Sequence, residues 1–220
     1  MKKVFTLIAA LVMAAAVNAQ SIQWHQSYSG NQKLVADIFW SNDNFNVYSY
    51  NEFTVTDNQA VGYGIVYGEW RIAGSHLLLH AEGRMKTRSF PDSLVPTAMY
   101  WPSGSHANAG LAYEICAGER LVFSPTMMWR YDFGAGHNWQ FSINSSGDWD
   151  DFYYEGYVDT WGPDEFNLCT EQKVYCKLTP MFHLGMNLMV FNVTSAPAGL
   201  SMWGDGRWNV QPWIVARVAF

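Results

Sequence analysis

The last thirteen residues, Trp208 to Phe220, alternate between two kinds of side chain with a period of two. Counting back from the end, Phe220, Val218, Ala216, Ile214 and Pro212 share one face. Ala219, Arg217, Val215, Trp213 and Gln211 share the other. Successive side chains of a strand point to opposite faces, so this segment reads as a strand with one wholly apolar face and a second that carries Arg and Gln. Eleven further runs of the same kind lie near 22–29, 33–41, 44–54, 61–72, 76–86, 106–117, 119–132, 137–147, 151–161, 165–176 and 179–192. Each is bounded by turn residues, the pattern of a β-barrel or of a β-sandwich.

The other end of the chain narrows the setting. Met1-Lys2-Lys3 is basic, Val4 to Val17 is apolar, and Val17-Asn18-Ala19 precedes a cut before Gln20. Residues 1–19 therefore read as a signal peptide, and residues 20–220 as one exported β domain. No Cys follows the cut, which sets aside a lipoprotein anchor. After the leader no apolar run approaches the length of a spanning helix. Yet only 15% of residues are charged and 16% are aromatic, both far from an average soluble domain. The choice is between an outer-membrane barrel of a two-membrane bacterium and a secreted β protein. A net charge of −6 argues against a nucleic-acid polymer as partner. Cys116, Cys169 and Cys176 are odd in number and lack paired spacing, so they form neither a disulfide framework nor a zinc site; packed thiols are expected.

The connections separate by length. In single-chain bacterial barrels both termini face the periplasm, periplasmic turns are short and extracellular loops longer. With twelve strands, Ser41-Asn42-Asp43-Asn44, Ala73-Gly74-Ser75, Ala117-Gly118-Glu119, Ser145 to Asp150 and Lys177-Leu178-Thr179 all fall on the periplasmic side, and all are short. The two longest connections, Thr87 to Ser105 and Val193 to Trp208, fall on the other. A sandwich has no reason to sort its loops in this way. The expected fold is thus an all-β transmembrane antiparallel barrel of about twelve strands with both termini periplasmic. The run at 22–29 is the least regular, and losing it and one other would leave ten.

The faces agree. Asp151, Tyr153, Glu155, Tyr157 and Asp159 oppose Phe152, Tyr154, Gly156 and Val158. His80, Glu82 and Arg84 oppose Leu77, Leu79, Ala81 and Met85. Tyr67, Glu69 and Arg71 oppose Val66, Gly68, Trp70 and Ile72. A charge facing lipid at mid-depth costs several kcal/mol, so the charged faces point into a lumen. The expected lumen acids are Asp37, Glu52, Glu69, Glu82, Glu114, Asp132, Asp151, Glu155, Asp159 and Glu171; the expected cations are Arg71, Arg84, Arg130, Lys173 and Arg217. Lys is almost absent from strand interiors, unlike a soluble strand's polar face. Trp40 and Trp149 at one end, and Trp129, Trp139, Trp161 and Trp208 at the other, fit two interfacial girdles. Pro125 and Pro212 each remove a ladder donor and imply a bulge or a strand end.

No catalytic motif stands out. His80 and His183 are single histidines on polar faces. Ser105, His106 and His137 lie near the outer rim, where a lipid-modifying enzyme would place a His and a Ser, but no third member orients them. The segment Thr87 to Ser105, with Phe90, Pro91, Pro96, Tyr100, Trp101 and Pro102, is a candidate constriction or lid, or a plain surface loop.

The C-terminal strand resembles the closing strand of bacterial outer-membrane barrels, which the assembly machinery reads as a signal. Leu34 to Thr54, Tyr67-Gly68-Glu69-Trp70-Arg71, His80-Ala81-Glu82, Tyr153 to Trp161 and Thr170-Glu171-Gln172 resemble an uncharacterised barrel family of Bacteroides-type bacteria grouped with the nucleoside-specific channel Tsx. The sequence departs from that family at Gln172, where Pro is expected, and in the loop after Met85. The resemblance implies a twelve-stranded barrel in outer-membrane lipid and lipopolysaccharide and, by analogy only, nucleoside transport. A channel for small polar solutes would need no cofactor and no metal. Glu69, Arg71, Glu82, Arg84, Glu155 and Asp159 are the expected wall charges, with Tyr67, Tyr153 and Tyr157 as ring contacts. A closed structural or adhesion barrel with a salt-bridged lumen, and an outer-leaflet lipid enzyme, remain the alternatives.

Overall fold

The computed structural model describes residues 21–27, 32–55, 60–89, 105–133, 136–162, 167–192 and 209–220. The expected signal peptide, the candidate lid, the long connection at 193–208 and Trp208 lie outside these residues. The described chain is all strand: β1 Ser21–Ser27, β2 Gln32–Ser41, β3 Phe45–Val55, β4 Ala60–Arg71, β5 Leu77–Ser89, β6 His106–Tyr113, β7 Ile115–Ala117, β8 Leu121–Asp132, β9 Gly136–Asp148, β10 Phe152–Trp161, β11 Asn167–Lys177, β12 Phe182–Asn192 and β13 Asn209–Ala219. Neighbours pair antiparallel in chain order, β13 pairs with β1, and β6 pairs with β8. The sheet therefore closes on itself and has no free edge, the configuration a bilayer requires.

The ring contains twelve full strands. The short β7 pairs only with β8 and continues β6 in the same register, from His106↔Asp132 through Ala112↔Thr126 to Ile115↔Phe123 and Ala117↔Leu121. The break falls where Pro125 stands across from Tyr113 in that register. Phe133 donates its N–H to Ser105 across this pair at 3.1 Å, so the odd-numbered residues of β8 aim their backbone groups at β6. Pro125 lacks the N–H that would donate to the Tyr113 carbonyl, and the ladder opens there without an inserted residue.

Burial is inverted relative to a soluble protein. Met186 is 68% and Ile214 58% exposed, and Trp70, Met127, Trp129, Leu184 and Val210 are also outward and exposed. Lys33 and Glu171, each 2% exposed, lie inside. Register partners share a face, so β2 contributes Lys33, Val35 and Asp37 to the interior, β5 contributes Leu78, His80, Glu82 and Arg84, and β13 contributes Trp213, Val215 and Arg217. A small apolar cluster of Tyr175, Trp213 and Val215, with Tyr153 against it, packs inside β10–β13.

The tight turns at 42–44, 72–76, 118–120, 149–151 and 178–181 lie at one end of the barrel, together with Ser21 and Ala219, which pair. At the first of these turns the Asn42 side chain accepts from the Asn44 and Phe45 amides, which fixes the β2–β3 hairpin. Trp40, Phe45 and Trp70 stack edge to face on the outside beside it. Trp129 sits outside near the other end, stacked on His137 at 5.0 Å. Trp161 does not join that girdle: it pairs with Gln140 and Asn167 on the inner face, with the Arg130 guanidinium 4.9 Å from its ring. Cys116 and Cys176 are exposed rather than packed: Cys176 lies on the outer face of β11, and Cys116 lies beside the 118–120 turn on the face that β6 turns inward. Asp151 is exposed in the turn before β10 rather than in the lumen.

Candidate functional site

The lumen holds three groups of ion pairs and hydrogen bonds, each with a contact between strands that are not neighbours in the ring. In the first, Lys33 of β2 donates to Glu171 of β11 at 2.7 Å and lies 3.4 Å from Glu52 of β3. Three strands, β1, β13 and β12, separate β2 from β11 around the ring. Asn187 donates to Glu171 at 2.5 Å, the Trp213 ring lies 5.5 Å from the Lys33 ammonium, and the Tyr50 hydroxyl donates to Glu52.

In the second group Arg84 of β5 donates to Asp159 of β10 at 2.5 Å and through Nε to Glu82 at 2.9 Å. The strands β6, β8 and β9 separate β5 from β10. Glu82 also accepts from Asn108 at 2.5 Å, and Asp159 accepts from the Ser142 hydroxyl at 2.6 Å. Asn108 and Arg130 both donate to the Gln140 side-chain oxygen, and Arg130 reaches Asp132 at 2.6 Å. On the turn side of this group His80 is bonded through Nδ1 to Glu69 at 3.0 Å and lies under Tyr67, which stacks on Tyr48.

The third group lies nearer the turn end. Glu155 of β10 accepts from Lys173 at 3.0 Å, from Gln23 of β1 at 3.1 Å, and from the Tyr153 and Tyr175 hydroxyls. Asp37 accepts from Ser21 and Gln23. Lys173 reaches 3.7 Å from Glu171 and lies 5.5 Å from the Tyr50 ring, which ties this group to the first.

All nine expected site residues whose role was read from the alternation face inward, but they do not form one site. Glu82, Arg84 and Asp159 meet. Glu69 and Tyr67 join them through His80. Glu155 and Tyr153 belong to the third group, while Tyr157 places its hydroxyl 3.6 Å from the Cys169 sulfur. Arg71 stands apart at the turn-end mouth, paired with Glu114 at 3.0 Å and about a quarter exposed. The alternation in 33–41 carried a further signal that the lumen list above omits: Lys33, with Val35 and Asp37, shares the inward face, so lysine is not excluded from the interior. Gln23, Asn108, Gln140 and Asn187 are also central. Uncharged residues give no electrostatic cue in a sequence, and only their register reveals them.

The rim residues do not assemble a catalytic group. Ser105 and His106 are both buried but, as consecutive strand residues, face opposite sides; His106 is on the inner one, with its Nδ1 4.0 Å from Asp132. His137 is exposed on the outer face between Trp129 and Tyr131. Among the described residues no cluster of His, Cys, Asp and Glu could hold a metal ion.

Comparison with solved structures places this ring among known barrels. The NanC porin superposes with a TM-score of 0.58 over 91% of this chain and 98% of that one, at 8% identity. The KdgM porin gives 0.53 over 91% and 98%, at 9% identity. An outer membrane channel from Pseudomonas putida F1 gives 0.53 over 91% and 94%, at 8% identity. The fold is that of an outer-membrane β-barrel. With its apolar outer belt and closed ring, the chain belongs in the bacterial outer membrane. No family model and no curated protein matches the sequence. At such identities the likeness bears on the fold, and it lends the Tsx resemblance no support.

Proposed function

We propose that the chain is an outer-membrane channel for small polar solutes. The observation that carries this reading is the nature of the lumen contacts: walls a third of the way round the ring from each other meet through charges on long side chains, Arg84 with Asp159 and Lys33 with Glu171, rather than through a continuous apolar layer. Eight strands already make a ring that side chains can fill. A twelve-stranded ring leaves more space, here crossed by polar bridges that water and a polar solute can replace group for group. Solute passes by diffusion through weak sites, with no cofactor. Among solutes, nucleosides follow from the Tsx resemblance, with Tyr67, Tyr153 and Tyr157 as ring contacts. In this reading residues 1–19 are cleaved on export, the turn end faces the periplasm, and the C-terminal strand is the segment the barrel-assembly machinery engages.

The bridges also favour a second reading. Lys33, Glu171 and Asp159 are almost wholly buried, as in a closed structural barrel locked by its ion pairs. Planar-bilayer recording separates the two. The channel gives small, discrete conductance steps with the purified barrel, and liposomes containing it take up a small polar solute such as uridine. Absence of steps at any salt concentration, together with no uptake, would leave the closed barrel.

A further inference from the structure

Every Lys and Arg whose side chain is described sits within 4 Å of a carboxylate except Arg217. Arg217 lies on the inner face of β13 at the turn-end mouth, across from Gln23 on β1 and His183 on β12. Its guanidinium is 4.5 Å from the Tyr153 ring and 5.9 Å from that of Tyr175. Its Nη1 is 3.1 Å from His183 Nδ1. A guanidinium has donors only and stays protonated, so Nδ1 is the acceptor and His183 carries its proton on Nε2. The nearby carboxylates are otherwise engaged: Asp37 accepts from Ser21 and Gln23, and Glu155 from Lys173, Gln23, Tyr153 and Tyr175. Arg217 Nε is buried and has no protein partner. The stacking and the histidine thus hold the guanidinium in one place while leaving part of its donor fork unmatched.

We infer that Arg217, stacked on Tyr153 and oriented by His183, is a binding site for the carboxylate or phosphate group of an anionic solute at the turn-end mouth. An unmatched planar fork suits a carboxylate or phosphate, which can accept two parallel N–H bonds. The site deepens the channel reading by adding an anion-recognising station to a wall whose other described cations are each paired with a carboxylate. It rests on that reading only for its role in transport.

The test is binding of inorganic phosphate to the mature barrel refolded in detergent, followed by broadening of the phosphate 31P resonance, with acetate as competitor. Saturable broadening that acetate reverses is expected for the native chain. Arg217→Gln should weaken it about tenfold or more, as loss of a charge-assisted contact implies. Arg217→Lys, which keeps the charge without the fork, should bind more weakly than the native chain. Arg120→Gln, an exposed turn arginine paired with Asp150, should bind as the native chain does. Equal binding by native and Arg217→Gln barrels, or no saturable binding by the native barrel, overturns the site. A heat-modifiable gel shift reports folding of each variant. Should Arg217→Gln not fold, undiminished binding by Arg217→Lys overturns the site instead. Binding needs no current, so a barrel that binds phosphate but does not conduct would sink the channel and leave this site standing.

Discussion

Lys33 shows on what terms a charge is held inside this barrel. Its ammonium is 2% exposed and meets two carboxylates, Glu171 at 2.7 Å and Glu52 at 3.4 Å. Removing one member of such a set leaves the others buried without a partner, a cost of about 3–5 kcal/mol. Lys33→Met is therefore expected to lower the folding free energy by about that amount, read as a shift of the denaturant midpoint in lipid vesicles. Adding Glu171→Gln should recover part of the loss, because one stranded charge disappears. A single variant that costs less than about 1 kcal/mol would mean that water reaches the pair. Lys33 was within reach of the sequence, since it shares a period-two face with Val35 and Asp37. Trp161 was not: alternation places it on the same face as Asp159, but its position at a strand end invites an interfacial assignment. Its inward setting depends on Arg130, thirty-one residues earlier in the chain, lying over its ring.

At the level of the strands, the seam between β6 and β8 closes the ring and carries two local irregularities. One is Pro125. Pro125→Val restores an amide aimed at the Tyr113 carbonyl, and joining β6 to β7 is expected to stabilise the barrel by about 0.5–1.5 kcal/mol. Slower amide exchange at residue 125 than at exposed turn residues would mark the new bond, whereas rapid exchange there would show that the strand stays interrupted. The other is Gly110. A Cβ there would lie 2.0 Å from the Met127 carbonyl oxygen and 2.7 Å from Met128 Cα. These are backbone atoms of the partner strand and cannot rotate away, so Gly110→Ala must push β6 off β8 where the ring has no alternative pairing. Loss of the heat-resistant folded band, or a drop in stability of about 1–3 kcal/mol, is expected; native behaviour would show that the seam yields. The strand pattern itself was legible, because each strand faces lipid on one side and polar lumen on the other, and that contrast repeats in the sequence. The expected runs at 119–132, 137–147 and 165–176 meet the observed β8, β9 and β11 within a few residues. The close approach at Gly110 was not legible, since glycine in a strand reads the same whether or not a neighbour crowds it.

At the scale of the whole molecule, the inner and outer surfaces follow opposite rules. The outside is matched to lipid by area alone, so any apolar residue serves. The inside must satisfy each charge individually, and partners lie on strands far apart in sequence, such as Lys33 with Glu171 and Arg84 with Asp159. The inward direction of the charges therefore followed from alternation, while their grouping into three clusters required the ring to close. The Arg84–Asp159 bridge is the contact that joins β5 to β10 across the lumen, with Glu82 as its second carboxylate. Replacing both ends with small residues, Arg84→Ser with Asp159→Ser, leaves no new unmatched cation and clears the space between those walls. If solute passes on that side, the double variant conducts several-fold more current per channel than the native barrel in planar bilayers, while Arg84→Ser alone, which strands Glu82 and Asp159, shifts permeation towards cations. A rise in conductance from the double variant with no change in selectivity would assign the bridge to the pore's narrowest section. Unchanged conductance in both variants would place the constriction with Gln23, Glu155 and Lys173 on the turn side, where the same pair of measurements on Gln23→Ser decides whether that layer is the gate.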